Sequence, residues 1–265
     1  MVKNAASRKR IRNCIESPDQ HEDWSLERAR SLGFGTRKKK LPETIDLREP
    51  WWNVGNQGFT GSCVGWAFAD SLLRYHFVKA RKIRKNERVS VRYIWMAAKE
   101  TDAECKYPTT FIDDAGTSAK AALRVVKKFG ALKASVLPFA GGLVKLKEGS
   151  FLKVAGRLKL KGYFNLGGKQ PGKLERFKEW LAYHGPILTR LKCDPSWNNI
   201  KKDGKLQKYD KKKTLGGHAM SIVGYTPSHF IIRNSWGTGW GHRGFAYASY
   251  EYTMDAFHEA YGIVV

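Results

Sequence analysis

A cysteine, a histidine, an asparagine and a glutamine stand in settings where each could serve one reaction. Cys63 follows the small-residue path Gly58-Phe59-Thr60-Gly61-Ser62 and opens the apolar run Val64-Gly65-Trp66-Ala67-Phe68. A thiol at a helix start lies beside unpaired backbone N–H groups and the positive end of the dipole, and both favour the thiolate. His218 follows Gly216-Gly217 at the mouth of the apolar run Ala219-Met220-Ser221-Ile222-Val223, and Asn234 ends the run Phe230-Ile231-Ile232-Arg233. A nucleophilic cysteine needs a base within reach and a third group that orients the base. The chemistry this set could do is attack on a carbonyl through a covalent acyl-enzyme. Singly, each residue has a plain structural reading: a small buried thiol, a core histidine, a strand-ending asparagine, a loop-capping glutamine. Their order along the chain favours the catalytic reading.

The spacings add a resemblance. Gln57 stands six residues before Cys63 (63 − 57 = 6), and Asn234 sixteen after His218 (234 − 218 = 16). With the run Asn234-Ser235-Trp236-Gly237-Thr238-Gly239-Trp240-Gly241, and with Leu41-Pro42-Glu43-Thr44-Ile45-Asp46 ahead of it, the sequence from about Leu41 onward resembles the papain-like cysteine peptidases. That resemblance implies an α+β fold of two lobes, one helical and one β-barrel-like, with the active site in the cleft between them. It implies Cys63 as nucleophile, His218 as general acid and base, Asn234 orienting the imidazole, and Gln57 with the Cys63 backbone N–H as the oxyanion hole. It places Gly116 and Gly217 at the substrate, Gly116 pairing main chain with an extended peptide, and gives Trp236 a supporting role as a shield over the histidine–asparagine contact. The sequence departs from the pattern at Thr60, where the family usually carries a disulfide-forming cysteine, and at Val64, where it usually carries tryptophan. Gly216 and Gly217 leave room beside the substrate wall, so a roomy pocket is expected.

Bulk properties narrow the alternatives. The chain has 265 residues, 42% of them hydrophobic, enough for one large domain or two lobes, and its 12% aromatic content argues against disorder. A formal charge of +24 suits an acidic substrate, nucleic acid or an anionic surface, or simply a solvated basic exterior. The expected partner is a peptide or protein substrate, with acidic or anionic partners a further reading of the basic patches. If Cys63 is the nucleophile, three cysteines remain (Cys14, Cys105, Cys193), an odd number for a disulfide framework. With no apolar signal core after the basic N-terminus and no apolar run long enough for a membrane span, a cytoplasmic location is expected. No CxxC, HExxH or phosphate-loop pattern occurs, so neither cofactor nor metal is expected. Acyl transfer or deamidation by the same acyl-enzyme, and a basic binding protein on the same scaffold, are the competing functions.

The elements that must position these residues follow from pattern. Residues 1–40 form a basic N-terminal segment, regulatory, packed as an arm or disordered, and 41–265 the peptidase-like domain, helical to about 140 and β-rich beyond. Ser25 caps a short helix closed by Gly33. A buried central helix runs from Cys63 to about Val78, and 79–85 is a solvated basic connection. Ser90 caps a helix over 91–98. Thr117 or Ser118 caps another that ends at Gly130, with Ala119, Ala122, Leu123 and Val126 inward and Lys120, Arg124, Lys127 and Lys128 outward. Asp113-Asp114 is read as a turn. A helix over 173–184 stops at Gly185-Pro186, 201–213 is an exposed loop or hairpin, and strands fall at 219–225, 229–233, 244–250 and 260–264.

Overall fold

Cys63 opens a helical run whose residues are buried through Val78, because apolar side chains cover its whole circumference. In the computed structural model, which describes residues 10–33, 40–102, 115–141, 150–168 and 172–265, the run is α-helical over Cys63–Gly65, π-helical over Trp66–Leu73 and α-helical again over Arg74–Lys79. Helices Val91–Thr101 and Ala119–Lys128 pack beside it. Their starts are set by serine caps: Ser90 accepts from the Tyr93 N–H at 3.1 Å, and Ser118 from the Ala121 N–H at 3.2 Å. Gly65 lets the Val91 carbonyl approach closely, since a Cβ there would lie 2.8 Å from that oxygen.

Lys120 corrects the expected helix face. It is buried, and its ammonium donates to the carbonyls of Pro18 at 3.0 Å and Asp19 at 2.8 Å and pairs with Asp23 at 3.1 Å. The period-3.6 pattern marked Lys120 as outward because it could not know that an N-terminal segment covers this face.

The second core lies on an eight-stranded sheet in the order β2-β8-β3-β5-β6-β7-β4, with β1 (Ile45–Asp46) pairing β5. The strands are β2 (Gly162–Asn165), β3 (Ile187–Lys192), β4 (Lys205–Leu206), β5 (Gly217–Tyr225), β6 (His229–Arg233), β7 (Phe245–Ser249) and β8 (Phe257–Val264). All pairings are antiparallel except β4–β7, so the stretch 201–213 supplies a parallel edge strand rather than a hairpin. Helix Lys173–Tyr183 seats Phe177 and Trp180 on this sheet. The turn at Asp113-Asp114 lies outside the described residues, as does Cys105.

Two ties hold the central helix against the sheet. Ser221 on β5 donates to the Ala67 carbonyl at 3.1 Å, one turn past Cys63. Deeper in the helix, the buried Asp70 carboxylate accepts from Arg233 at 2.8 Å and Arg88 at 2.6 Å, with Arg74 3.8 Å away. Arg233 is the residue before Asn234. Arg74 also donates to the Trp51 and Lys85 carbonyls, which fixes the loop leading to Gln57. Burial draws Arg74 down to about 10, the Asp70 charge acting the other way.

Candidate active site

His218 is the second residue of β5 and Asn234 follows β6, so a sheet pairing brings together residues sixteen apart (234 − 218 = 16). His218 Nε2 and Asn234 Oδ1 are 2.8 Å apart, and the Ser235 N–H donates to the same oxygen at 2.8 Å. With Oδ1 accepting, Nε2 carries the proton. The opposite nitrogen, Nδ1, has no hydrogen-bond partner, and the imidazole lies near enough to Cys63 to favour its thiolate. Cys63 sits at the start of the central helix, and a strand and a helix N-terminus thus meet at the thiol.

Trp236 lies over this contact, its ring 4.8 Å from that of His218. Trp197, in the short turn Pro195–Trp197, meets His218 edge to face at 5.8 Å and stacks on Trp240 at 5.1 Å. Trp197 itself is oriented by a bond of 2.8 Å to the Tyr252 hydroxyl, which donates to buried Asp194 at 2.9 Å. The indoles exclude water from the histidine–asparagine bond, which strengthens it. Sequence pattern singled out Trp236 but not Trp197, whose one local signal is the turn-forming Asp194-Pro195.

Gln57 is held on three sides. Its N–H donates to the Ser235 carbonyl at 2.8 Å, its Oε1 accepts from the Ser235 hydroxyl at 2.8 Å, and its Nε2 donates to the Thr60 carbonyl at 2.9 Å. The amide keeps a second N–H for another acceptor. Thr60 returns a bond of 2.8 Å from its hydroxyl to the Gln57 carbonyl. The loop before Cys63 is therefore closed by threonine hydrogen bonds at the place where the papain-like pattern uses a disulfide.

An N-terminal segment fills the cleft beside these groups. The Cys14 N–H donates to the Gly217 carbonyl at 2.9 Å, and the Ile15 N–H to the Thr117 carbonyl at 3.2 Å, so the segment bridges sheet and helix lobe. Gly116 and Gly217 both face it: a Cβ on the first would collide with the Asn13 carbonyl oxygen and on the second with that of Cys14. The room left by Gly216 is taken up likewise by the Arg12 backbone. Further along, Arg10 and Arg12 lie over the Trp236 ring at 5.8 and 5.1 Å. Beyond Cys14, Ser17 donates through both its N–H and its hydroxyl to Glu259. The Cys14 thiol points to the Ile15 carbonyl at 3.7 Å and lies buried in the same core cluster as Cys63. The neighbouring Cys14, ahead of His218, holds Cys63 well below its ordinary value against the effect of burial, while Cys14 is pushed well above its own. Nothing in the local pattern of residues 10–17 marks them as cleft residues, since their partners lie far along the chain.

Sheet and central helix together bring a cysteine, a histidine and an asparagine to one buried place. The family model described as papain family cysteine protease matches residues 41–261, and the chain belongs to that family. It is 25% identical over 218 residues to a cathepsin L-like proteinase of Fasciola hepatica, covering 80% of this chain and 61% of that protein. It is 25% identical over 217 residues to papain of Carica papaya, covering 77% of this chain and 54% of papain's sequence. The chain thus spans between half and two thirds of these curated relatives. Among solved structures, xylellain, a cysteine protease from Xylella fastidiosa, superposes with a TM-score of 0.77 at 22% identity over 99% of both chains. The bromelain protease from Ananas comosus gives 0.63 at 17% identity over 85% of this chain and all of that one (100%). These likenesses show the papain-like α+β fold. No helix among the described residues is long and apolar enough to cross a membrane.

Proposed function

We propose that this chain is a cysteine peptidase that hydrolyses peptide bonds through an acyl-enzyme on Cys63. The observation that carries the reading is the polarity of His218: Nε2 is committed to Asn234 Oδ1 at 2.8 Å, which leaves Nδ1 for the Cys63 sulfur. In this arrangement Cys63 attacks the peptide carbonyl as a thiolate. The oxyanion is met by the second N–H of the Gln57 amide and by the Cys63 backbone N–H. His218 passes its proton from Nδ1 to the leaving amine, then takes one from water as that water attacks the thioester. Asn234 keeps the ring in one tautomer through both halves, and Trp236 keeps solvent from the bond that does so.

Peptide or protein is the substrate class, and Gly116 and Gly217 are the places where a bound backbone comes close. Both are taken by residues 13 and 14, and Cys63 is fully buried. Residues 10–17 therefore act as a closed gate that substrate must displace. The surplus of basic charge would speed the approach of acidic substrates, an effect that falls with added salt. The test is digestion of a mixed peptide pool by the reduced protein, read by product mass. Cleaved main chains that vanish with Cys63→Ala and with His218→Ala support hydrolysis. Products joined to an amine, or substrates that lose only side-chain ammonia, would assign the same acyl-enzyme to transfer or deamidation instead.

A further inference from the structure

Cys14 is placed against the proposed nucleophile by bonds that leave its backbone little choice. Its N–H donates to the carbonyl of Gly217, the residue before His218, at 2.9 Å, and its carbonyl accepts from Arg190 Nε at 3.0 Å. On one side Asn13 presses its carbonyl on Gly116; on the other, the Ile15 N–H is bound to Thr117 at 3.2 Å and the Ser17 hydroxyl receives the Lys120 N–H at 3.0 Å. The side chain is thereby packed into the same buried cluster as Cys63, where Cys14 is 3% and Cys63 0% exposed, and the two thiols are close enough to perturb one another. Any small side chain could fill this space. Only cysteine adds a group able to bond covalently to the residue it covers.

We infer that Cys14 and Cys63 form a reversible disulfide, which fastens residues 10–17 in the cleft under oxidising conditions and, on reduction, leaves them held only by contacts that substrate can displace. This deepens the proposed function and rests on it, since fastening the gate matters only if Cys63 is the nucleophile. The oxidant is a small-molecule disulfide. When the segment lifts by local opening, the Cys63 thiolate attacks one sulfur of oxidised glutathione and expels one glutathione thiolate, which takes up a proton. Cys14 then loses its proton to a neighbouring base and attacks the Cys63 sulfur, expelling the second glutathione. Two protein thiols are oxidised and one glutathione disulfide is reduced to two thiols. With the segment lifted, the influence of His218 still favours the Cys63 thiolate, which suits this order, with Cys63 attacking first. Excess dithiothreitol reverses both steps.

The full chain, reduced and then desalted, is incubated with oxidised glutathione, its remaining thiols are blocked in acid, and it is digested without reductant for mass spectrometry. A peptide pair joined through Cys14 and Cys63 is expected, with peptide hydrolysis lost in step with its appearance and recovered on adding dithiothreitol. Cys14→Ser is expected to yield only the mixed disulfide of Cys63 with glutathione. The proposal is overturned if wild type, too, carries Cys63 as free thiol or mixed disulfide while Cys14 stays unmodified. The two readings fail separately. A linked pair in a protein that cleaves no peptide when reduced would sink the peptidase reading alone, and cleavage without a linked pair would sink the disulfide alone.

Discussion

At the scale of single residues, the site depends on fixing the directions of N–H groups. Gln57 is the clearest case, because Ser235 and Thr60 together leave its amide one N–H to offer. Gln57→Ala is expected to lower kcat about 10²–10³-fold, the usual loss for one oxyanion donor, with KM changed little; steady-state kinetics on a single peptide decides it. Thr60→Val removes only the hydroxyl that supports Gln57, and a loss of about 1 kcal/mol in stability is expected from chemical denaturation. Gln57 with Cys63 and His218 with Asn234 could be picked out in the sequence as candidates because each pair is near neighbours at a fixed spacing. Trp197 could not, because its contact with His218 depends on how a turn and two strands meet in space. The location of Cys14 was hidden for the same reason: the chain between it and Cys63 carries no periodicity that links them.

At the scale of elements, the proposed chemistry requires the central helix and the sheet to keep one register. Asp70 ties them, since its carboxylate faces Arg233 at the end of β6 and Arg88 beyond the helix. Asp70→Asn leaves Arg233 buried and without its counter-charge, and is expected to destabilise the fold by about 3–5 kcal/mol in denaturant titrations. Lys120 has the corresponding role for the N-terminal segment. Lys120→Met removes the donor to Pro18 and Asp19, and faster amide hydrogen exchange at residues 14–17 is expected, with the sheet unchanged. Helix starts were readable because Ser25, Ser90 and Ser118 are local caps, and each caps as its sequence position indicates. The strands of the second half were readable from their apolar runs. Pairings were not, and β4 shows why: a two-residue parallel edge has no sequence signature of its own.

At the scale of the whole molecule, the sheet and the N-terminal segment meet at one buried acid. Glu259 on β8 is raised to about 7, burial being the main cause, with the Ser17 donors and Arg190 pulling it down and Glu16 adding to the rise. An acid whose folded value exceeds its ordinary 4.5 favours the folded state when protonated. Its contribution is therefore full below about pH 4.5 and is lost as the pH climbs through about 7. Thermal unfolding of wild type beside Glu259→Gln is expected to show the wild type losing stability relative to the variant across that window. The opposite slope would mean that the Ser17 hydrogen bonds outweigh desolvation. The composition had shown a chain able to form two lobes; it did not show that a stretch outside the matched region, 41–261, completes the cleft. That knowledge required the long-range bonds of Cys14, Ile15 and Ser17.

The central claim is that His218 holds Cys63 as a reactive thiolate, and alkylation tests it most directly. The reduced full chain and His218→Ala are exposed to iodoacetamide at mildly acidic pH, and labelling is mapped residue by residue. Cys14 and Cys193 serve as internal references, since burial and neighbouring groups push both thiols up. The account predicts that Cys63 is labelled ahead of both in wild type and that this lead shrinks in the variant. Equal labelling of the three cysteines, or a lead for Cys63 undiminished by the loss of His218, would contradict it.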